Sequence, residues 1–169
     1  DLADRTFPRT PFVPANKALR DERCEEILTL QATGLATRLR HTHAKTAVVG
    51  LSGGLDSTLA LIVLVHAFDM LSLDRKGILA VTMPCFGTTA RTKGNAEKLA
   101  EAYGVTLKTV DIKAAVDQHF EDIGQSKDDL SVTFENGQAR MRTLVLMNLA
   151  NKTGGMVVGT GDLSELALG

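Results

Sequence analysis

The sequence is poor in aromatic residues and carries almost no net charge. It contains six Phe, one Tyr and no Trp in 169 residues. Nineteen Lys and Arg against twenty Asp and Glu give a formal charge of −1 at pH 7. Nucleic-acid binding without sequence preference relies on a strongly basic surface or on aromatic stacking platforms. We therefore expect no nucleic-acid partner.

Cysteines and long apolar runs are also scarce. Cys24 and Cys85 are too few for a disulfide framework, and their spacing is not that of a metal site. The most apolar run, residues 59–65, is much shorter than the roughly 18 residues that a membrane span requires. Asp1 and Asp4 precede any apolar run, which is not typical of a signal peptide. These absences favour a cytoplasmic protein with no membrane partner.

The remaining composition is that of a globular domain, with 44% apolar and 23% charged residues. Pro8, Pro11 and Pro14 lie close together near the start. Proline fixes φ and removes a backbone donor. We expect an extended arm or linker over residues 1–17 and one domain over residues 18–169.

Hydrophobic periodicity predicts helices that alternate with short apolar strands. The predicted helices cover residues 18–40, 57–71, 92–103, 113–123 and 137–152, and the predicted strands cover residues 46–51, 77–83, 106–112 and 156–158. Cys24 falls on the apolar stripe of the first helix, which predicts a buried side chain. The alternation indicates an α/β fold with a doubly wound parallel sheet. Ligands of such sheets bind at the carboxyl ends of the strands.

The loop after the first strand, residues 50–57, reads GLSGGLDS. Its paired glycines allow positive φ and close approach to a ligand, while Ser52 and Ser57 supply hydroxyl groups. With the following helix N-terminus, they form a cradle for an anion. No lysine is present, so this is not a Walker A loop. Asp56 would repel phosphate without an intervening cation and therefore suggests a Mg²⁺ ligand. The alternative is a tight turn with Asp56 or Ser57 as helix N-cap.

Two later constellations carry polar groups that suit an anionic nucleotide. Asn136 and Arg140 are i, i+4 neighbours on a helix, and Arg140 can bind phosphate or carboxylate through two parallel hydrogen bonds. Glu165, with Thr160, follows the fourth strand and falls at the same sheet edge as Asp56, where two carboxylates can share a metal. The alternatives are solvated arginines and a helix-capping role for Glu165.

The segment SGGLDS at residues 52–57 resembles the SGGxDS signature of the ATP pyrophosphatase, or PP-loop, superfamily. Enzymes of that superfamily cleave ATP between the α and β phosphates and adenylate a carbonyl or carboxyl group. The segments ENGQAR, GTGDLSE and TMPCFGTTARTKGNA, in addition, resemble the synthetase domain of glutamine-dependent NAD synthetases.

The resemblance implies a PP-loop fold of the adenine nucleotide alpha hydrolase-like type. It also implies ATP-dependent amidation of nicotinic acid adenine dinucleotide to NAD through an acyl-adenylate, with release of AMP and pyrophosphate. Ammonia would come directly or from glutamine through a glutaminase domain of the parent protein. A homodimer or higher homo-oligomer is implied, as is a domain that continues beyond residue 169.

The resemblance also implies site residues. Asp56 would be catalytic, and Asp56 and Glu165 would hold Mg²⁺. The dinucleotide substrate would contact Asn136, Arg140 and Glu165. Thr88 and Arg91 would lie near the nucleotide, whereas Cys85 has no base partner and is not expected to act as a nucleophile. ATP would be bound by Gly50, Leu51, Ser52, Gly53, Gly54, Leu55, Asp56, Ser57, Met83 and Thr160.

Two other functions remain open from the sequence. One is another PP-loop enzyme, either an amidotransferase similar to GMP synthetase or a tRNA-thiolating enzyme. The absence of a basic tract and of a Cys pair disfavours tRNA thiolation. The other is a non-catalytic nucleotide-binding module of the same fold, which would bind ATP without releasing pyrophosphate.

Overall fold

The computed structural model describes residues 4–86, 90–126, 128–161 and 163–168, except the side chains of residues 90–93 and 165. Helices and strands alternate along these residues. A short 3₁₀ turn (Arg75–Gly77) precedes the second strand. The elements are α1 (Lys17–Thr42), β1 (Ala47–Gly50), α2 (Leu55–Met70), β2 (Ile78–Thr82), α3 (Ala90–Tyr103), β3 (Thr106–Thr109), α4 (Lys113–Ile123), α5 (Val132–Thr153), β4 (Met156–Val158) and α6 (Leu163–Leu168).

The four strands form one parallel sheet in the order β3-β2-β1-β4. Val49 of β1 lies between Ala80 of β2 and Val158 of β4. The chain adds β2 and β3 on one side of β1 and then returns to add β4 on the other side. β1 and β4 therefore flank a topological switch point, where a crevice opens at the carboxyl ends of the strands.

Helices cover both faces of the sheet, which confirms the predicted doubly wound α/β fold. Val48 and Val49 are fully buried, as expected for a central parallel strand. Val49 packs in a cluster with Leu64 and Phe68 of α2. Val48 faces the other way, in a cluster with Ala150 of α5. Two apolar layers therefore hold β1, and the loop after it, in a fixed position.

The fifth helix begins earlier than predicted. It starts at Val132 rather than at Gly137, so the predicted start of this helix is five residues too late. Phe134 in the first turn is 8% exposed, and its ring centroid lies 5.5 Å from that of Phe120 in α4. The buried ring of Phe134 therefore anchors the first turn of the helix, in which the other apolar residue, Val132, is exposed.

The prediction that Cys24 is buried is wrong, because its side chain is exposed. On the same stripe of α1, Ala32, Ala36 and Leu39 are buried, whereas Leu28 is only partly so. The carboxyl-terminal half of α1 packs against α2. Helical periodicity indicates which face of a helix is apolar, but not how much of its length a neighbour covers.

Residues 5–16 contain no helix or strand, and all of them but the partly buried Pro14 are exposed. α1 begins after Asn16, whose side-chain oxygen accepts a hydrogen bond from the backbone N–H of Leu19 at 3.1 Å. This cap fixes the residue at which α1 begins. Among the described residues, no helix combines the length and the apolar character needed to traverse a lipid bilayer.

Candidate functional site

The loop between β1 and α2 leaves the helix N-terminus open. Gly53 has a φ of +81°, a left-handed conformation that glycine adopts without steric cost. Gly54 is the N-cap in an extended conformation, and no side chain caps the first turn. Asp56 and Ser57 lie inside α2, so the alternative interpretation, with either of them as N-cap, is wrong. The first N–H groups of α2 and the positive end of its dipole remain available for an anion.

Two serines fix the shape of this loop. Ser57 is 4% exposed, and its hydroxyl group donates to the carbonyl oxygen of Gly54 at 3.1 Å. Ser57 Oγ itself accepts the backbone N–H of Ser52 at 3.3 Å. Ser52 Oγ in turn accepts the N–H of Gly54 at 3.2 Å. Ser57 therefore orders the loop from inside, and Ser52 is exposed at its surface.

A cavity of about 500 Å³ opens over the loop at the carboxyl ends of β1 and β2. It brings together most of the residues predicted to bind ATP. Those that line it are Gly50, Leu51, Ser52, Asp56, Ser57, Met83 and Thr160. Gly53, Gly54 and Leu55 do not line it, and the side chain of Leu55 is 82% exposed.

The far wall of this first cavity is apolar. Met83 and Phe86 follow β2, and Leu146 comes from α5. Phe86 packs against Phe134 with ring centroids 5.5 Å apart, and Lys113 Nζ lies 5.5 Å from the centroid of Phe86. The cavity therefore combines a polar floor, made by the loop, with an apolar side of the kind that accepts a ring.

A second cavity of about 610 Å³ lies between α1, α2 and the segment that follows β4. Leu59 and Val63 of α2 form part of its wall, and Gly159 and Ser164 line its other side. Asp56 and Thr160 line both cavities. The carboxylate therefore stands at the junction between two open spaces.

Two of the predicted substrate residues, Asn136 and Arg140, do not line either cavity. Asn136 is partly buried and Arg140 is exposed, and both lie in the first half of α5. Thr88 lies outside the described residues, as do the side chains of Arg91 and Glu165. The expected meeting of Glu165 with Asp56 is thus not tested.

Arg142 lines the first cavity, although the sequence did not single it out. It lies two residues beyond Arg140, about 200° around the helix, so the two arginines point in different directions. Leu146 is its i+4 neighbour and faces Gly50, where an added Cβ would lie 3.2 Å from Leu146 Cδ1. The sequence signal that could have identified Arg142 is its position on the same face of α5 as the apolar residues Leu146 and Ala150.

The donor chemistry of the junction fits a magnesium ion that arrives with a nucleotide. Asp56 makes no hydrogen bond or ion pair with another described residue, and hydroxyl groups of Ser52 and Thr160 line the same cavity. No group of three or more acidic, His or Cys residues that could hold a metal alone occurs in the described part of the chain. Mg²⁺ at nucleotide sites typically takes one or two carboxylates, and phosphates and water complete its shell.

The parallel sheet, with an open glycine loop at its switch point, defines an α/β fold of the PP-loop class. A family model described as NAD synthase matches residues 27–169. The chain belongs to the NAD synthase family, a family of ligases.

Similarity to individual proteins agrees with this assignment. The chain is 47% identical to the glutamine-dependent NAD(+) synthetase of Mycobacterium tuberculosis, over 98% of this chain and 25% of that protein. It is 37% identical to the NH(3)-dependent NAD(+) synthetase of Hyperthermus butylicus, over 85% of this chain and 53% of that protein. The chain therefore spans about a quarter of the length of its mycobacterial relatives.

A solved structure matches the fold as well. It is the glutamine-dependent NAD+ synthetase of Acinetobacter baumannii in complex with adenosine diphosphate, with a TM-score of 0.77 and 30% sequence identity. The match covers 85% of this chain and 27% of that one. That protein's bound nucleotide bears on the function proposed below.

Proposed function

We propose that this chain provides the ATP-binding part of an NAD synthetase, which amidates nicotinic acid adenine dinucleotide to NAD. The observation that carries the proposal is the uncapped β1–α2 loop facing a cavity of about 500 Å³ at the carboxyl ends of β1 and β2. The names of the relatives and the adenosine diphosphate in the Acinetobacter baumannii structure support it.

ATP binds with its phosphates on the loop and its base toward the apolar wall. The backbone of Gly53 and Leu55 contributes N–H groups at the helix N-terminus, where phosphate binding is favoured. Gly54, whose own N–H donates to Ser52 Oγ, binds ATP by allowing the phosphates to approach the backbone closely. Met83 contacts the adenine. The phosphates and ribose take the remaining polar lining, formed by Gly50, Leu51, Ser52, Asp56, Ser57 and Thr160.

The dinucleotide substrate lies along α5, beside the cavity rather than inside it. Arg140 is exposed and offers a guanidinium group to a phosphate, and Asn136 lies one turn earlier on the same face. Glu165 completes this substrate site. The nicotinate carboxylate then reaches the α-phosphate at the cavity mouth.

The chemistry follows from the poor reactivity of a carboxylate, whose leaving group would be oxide. The nicotinate oxygen attacks the α-phosphorus in line, and the bond to the β-phosphate oxygen breaks to release pyrophosphate. Ammonia next attacks the acyl carbon of the adenylate, AMP leaves and the amide of NAD forms. The loop N–H groups stabilise the charge on the phosphates, and orientation lowers the rest of the barrier.

Asp56 is the carboxylate that would hold Mg²⁺, together with Glu165. When bound, the ion neutralises charge on the triphosphate and on the leaving pyrophosphate. Asp56 is exposed at the junction of the two cavities, so an ion held there would face both. In this scheme Asp56 would act as a metal ligand and would not transfer a proton.

The nitrogen source and the assembly are further parts of the proposal. The mycobacterial relatives are named as glutamine-dependent enzymes and are about four times as long as this chain. A glutaminase domain supplying ammonia is consistent with that length. We also propose a homo-oligomer that acts in the cytoplasm.

Pyrophosphate release tests the function. A longer protein that contains this chain and the continuation of its domain is incubated with ATP, Mg²⁺ and ammonium salt, and either nicotinic acid adenine dinucleotide or xanthosine monophosphate is added. We expect pyrophosphate and NAD with the dinucleotide alone. Release with xanthosine monophosphate would favour a GMP-synthetase-like enzyme, and ATP binding without release would favour a non-catalytic module.

Two variants make the assay specific to the site. Asp56→Ala should abolish formation of the acyl-adenylate, because the triphosphate loses its metal ligand. Asp128→Ala removes an exposed carboxylate from the loop before α5 and should leave turnover unchanged. NAD synthesis by Asp56→Ala at the wild-type rate would remove the role assigned to this carboxylate.

A further inference from the structure

The β1–α2 loop provides no positively charged side chain to the first cavity. The β1–α2 loop contains no Lys or Arg, so its contribution to anion binding is limited to N–H groups, hydroxyl groups and the helix dipole. ATP carries several negative charges on its phosphates. Among the described residues that line the cavity, only Asp56 and Arg142 are charged. The one described cation in the cavity wall therefore comes from α5, not from the loop.

Arg142 lines the cavity and is not engaged by any other described residue. Its side chain is partly buried, and it makes no hydrogen bond or ion pair with another described residue. A guanidinium group withdrawn from water is normally paired, because its desolvation is costly. Its i+4 neighbour Leu146 packs on the end of β1, where it would contact any side chain at position 50. This contact sets the distance of α5 from the loop.

Arg142 and Asp56 do not form an ion pair across the cavity, although both line it. Each is therefore available to a ligand that lies between them. An anion that also carries a metal ion satisfies both groups at once, the anion at Arg142 and the cation at Asp56. A nucleotide polyphosphate with Mg²⁺ has this composition.

We propose that Arg142 binds the phosphate oxygens of the nucleotide, as the cationic group that the loop itself lacks. The inference rests on the proposed function, which assigns ATP to this cavity. A guanidinium group matches two phosphate oxygens through parallel N–H donors, and it stays charged at any physiological pH. Arg140 and Arg142 thus divide two tasks on opposite sides of one helix, the dinucleotide for Arg140 and ATP for Arg142.

Titrations of the chain with ATP, AMP, adenosine and nicotinic acid adenine dinucleotide test this role. Arg142→Gln should weaken ATP binding by about 10- to 100-fold, the range for a lost charge-assisted hydrogen bond. Arg142→Lys keeps the charge but not the paired donors, and should weaken it by roughly 3- to 10-fold. Adenosine affinity should change less than about twofold. Arg38→Gln, an exposed arginine of α1, is the matched control and should bind ATP like wild type.

Each other outcome counts against the proposal in a recognisable way. If Arg142→Gln loses ATP and adenosine affinity equally, the residue supports the fold of the cavity instead of binding phosphate. If only the dinucleotide affinity falls, Arg142 belongs to the other substrate. If wild type binds ATP and Arg142→Gln binds it as well, this inference fails and the proposed function stands. If wild type binds no ATP, both fail.

Discussion

The hydroxyl oxygens of Ser52 and Ser57 lie 3.0 Å apart across the loop that joins β1 to α2. Ser57 Oγ also accepts the backbone N–H of Ser52 and donates to the carbonyl of Gly54. One buried hydroxyl group therefore links three points of this loop. The open N-terminus of α2 depends on this internal support.

Ser57→Ala should damage the loop more than the fold. The substitution leaves the N–H of Ser52 without its partner, at a cost of about 1–2 kcal/mol in the free energy of unfolding. ATP affinity should fall by roughly 2- to 10-fold, because the loop N–H groups lose their fixed arrangement. Urea denaturation and nucleotide titration measure the two effects separately.

Thr58→Val is the control for Ser57→Ala. Thr58 also donates its hydroxyl group to the carbonyl of Gly54, at 2.8 Å, but it does not line the cavity. The control should lose some stability and retain nucleotide affinity. If both variants weaken ATP binding equally, the hydroxyl network does not determine the loop's binding shape.

Much of the scaffold followed from local sequence. α4 and β4 occupy the residues predicted for them, 113–123 and 156–158. α4 ends at Gly124, whose φ of +70° is the left-handed conformation typical of a helix end. The strand β1 was found within one residue, because a short apolar run before a glycine loop has few other structural solutions.

Features that depend on packing between distant elements could not be read from the sequence. The start of α5 depends on the contact of Phe134 with Phe120, and the exposure of Cys24 depends on where α2 stops covering α1. Arg140 and Arg142 are the same residue type, two positions apart on α5. Which of them reaches the cavity depends on which face of α5 is turned to the sheet. Leu146 and Ala150, which pack in the cluster around Val48, mark the face of α5 that is turned to the sheet.

The crossing of α4 and α5 predicts a strict requirement for glycine at position 137. A Cβ there would lie 2.5 Å from Phe120 Cε1, and the Phe120 side chain is 1% exposed and cannot move aside. Gly137→Ala should lower the free energy of unfolding by about 1–3 kcal/mol, although alanine has the higher helix propensity. Chemical denaturation of both proteins checks this.

Gly34→Ala provides the comparison for Gly137→Ala. Gly34 is an exposed glycine inside α1, and a Cβ there would meet nothing within 4 Å. Its replacement should stabilise the protein by about 0.5–1 kcal/mol through helix propensity. If the two substitutions changed the free energy of unfolding equally, α4 and α5 would be able to move apart with little loss of stability.

An ion pair at the end of α2 predicts a pH-dependent contribution to stability. Arg75 donates Nε to Asp69 Oδ1 at 2.8 Å and Nη2 to Oδ2 at 2.6 Å. These hydrogen bonds hold the pKa of Asp69 below its ordinary value of 3.8. Because the folded-state pKa is lowered, the contribution is fully present above pH 3.8 and is lost as pH falls through the lower folded value.

Asp69→Asn measures this contribution. The stability difference between wild type and Asp69→Asn should be largest near neutral pH and shrink below pH 3.8. In an Arg75→Gln background, replacing Asp69 should change stability little at either pH, because the partner is already absent. If the stability difference between wild type and Asp69→Asn grew as the pH fell, a group other than Asp69 would control the loss of stability in acid.

Asp56 predicts the metal dependence of nucleotide binding. Its carboxylate is exposed and lines both cavities, so Asp56→Asn should cost at most about 1 kcal/mol of stability, through its position in the first turn of α2. Mg²⁺ should strengthen ATP binding by wild type and have little effect on the variant. Without Mg²⁺, the variant should bind ATP at least as tightly as wild type, since a repulsive charge beside the phosphates is gone. Titrations with Mg²⁺ and with EDTA measure all four affinities. An equal gain from Mg²⁺ in both proteins would place the metal on other groups.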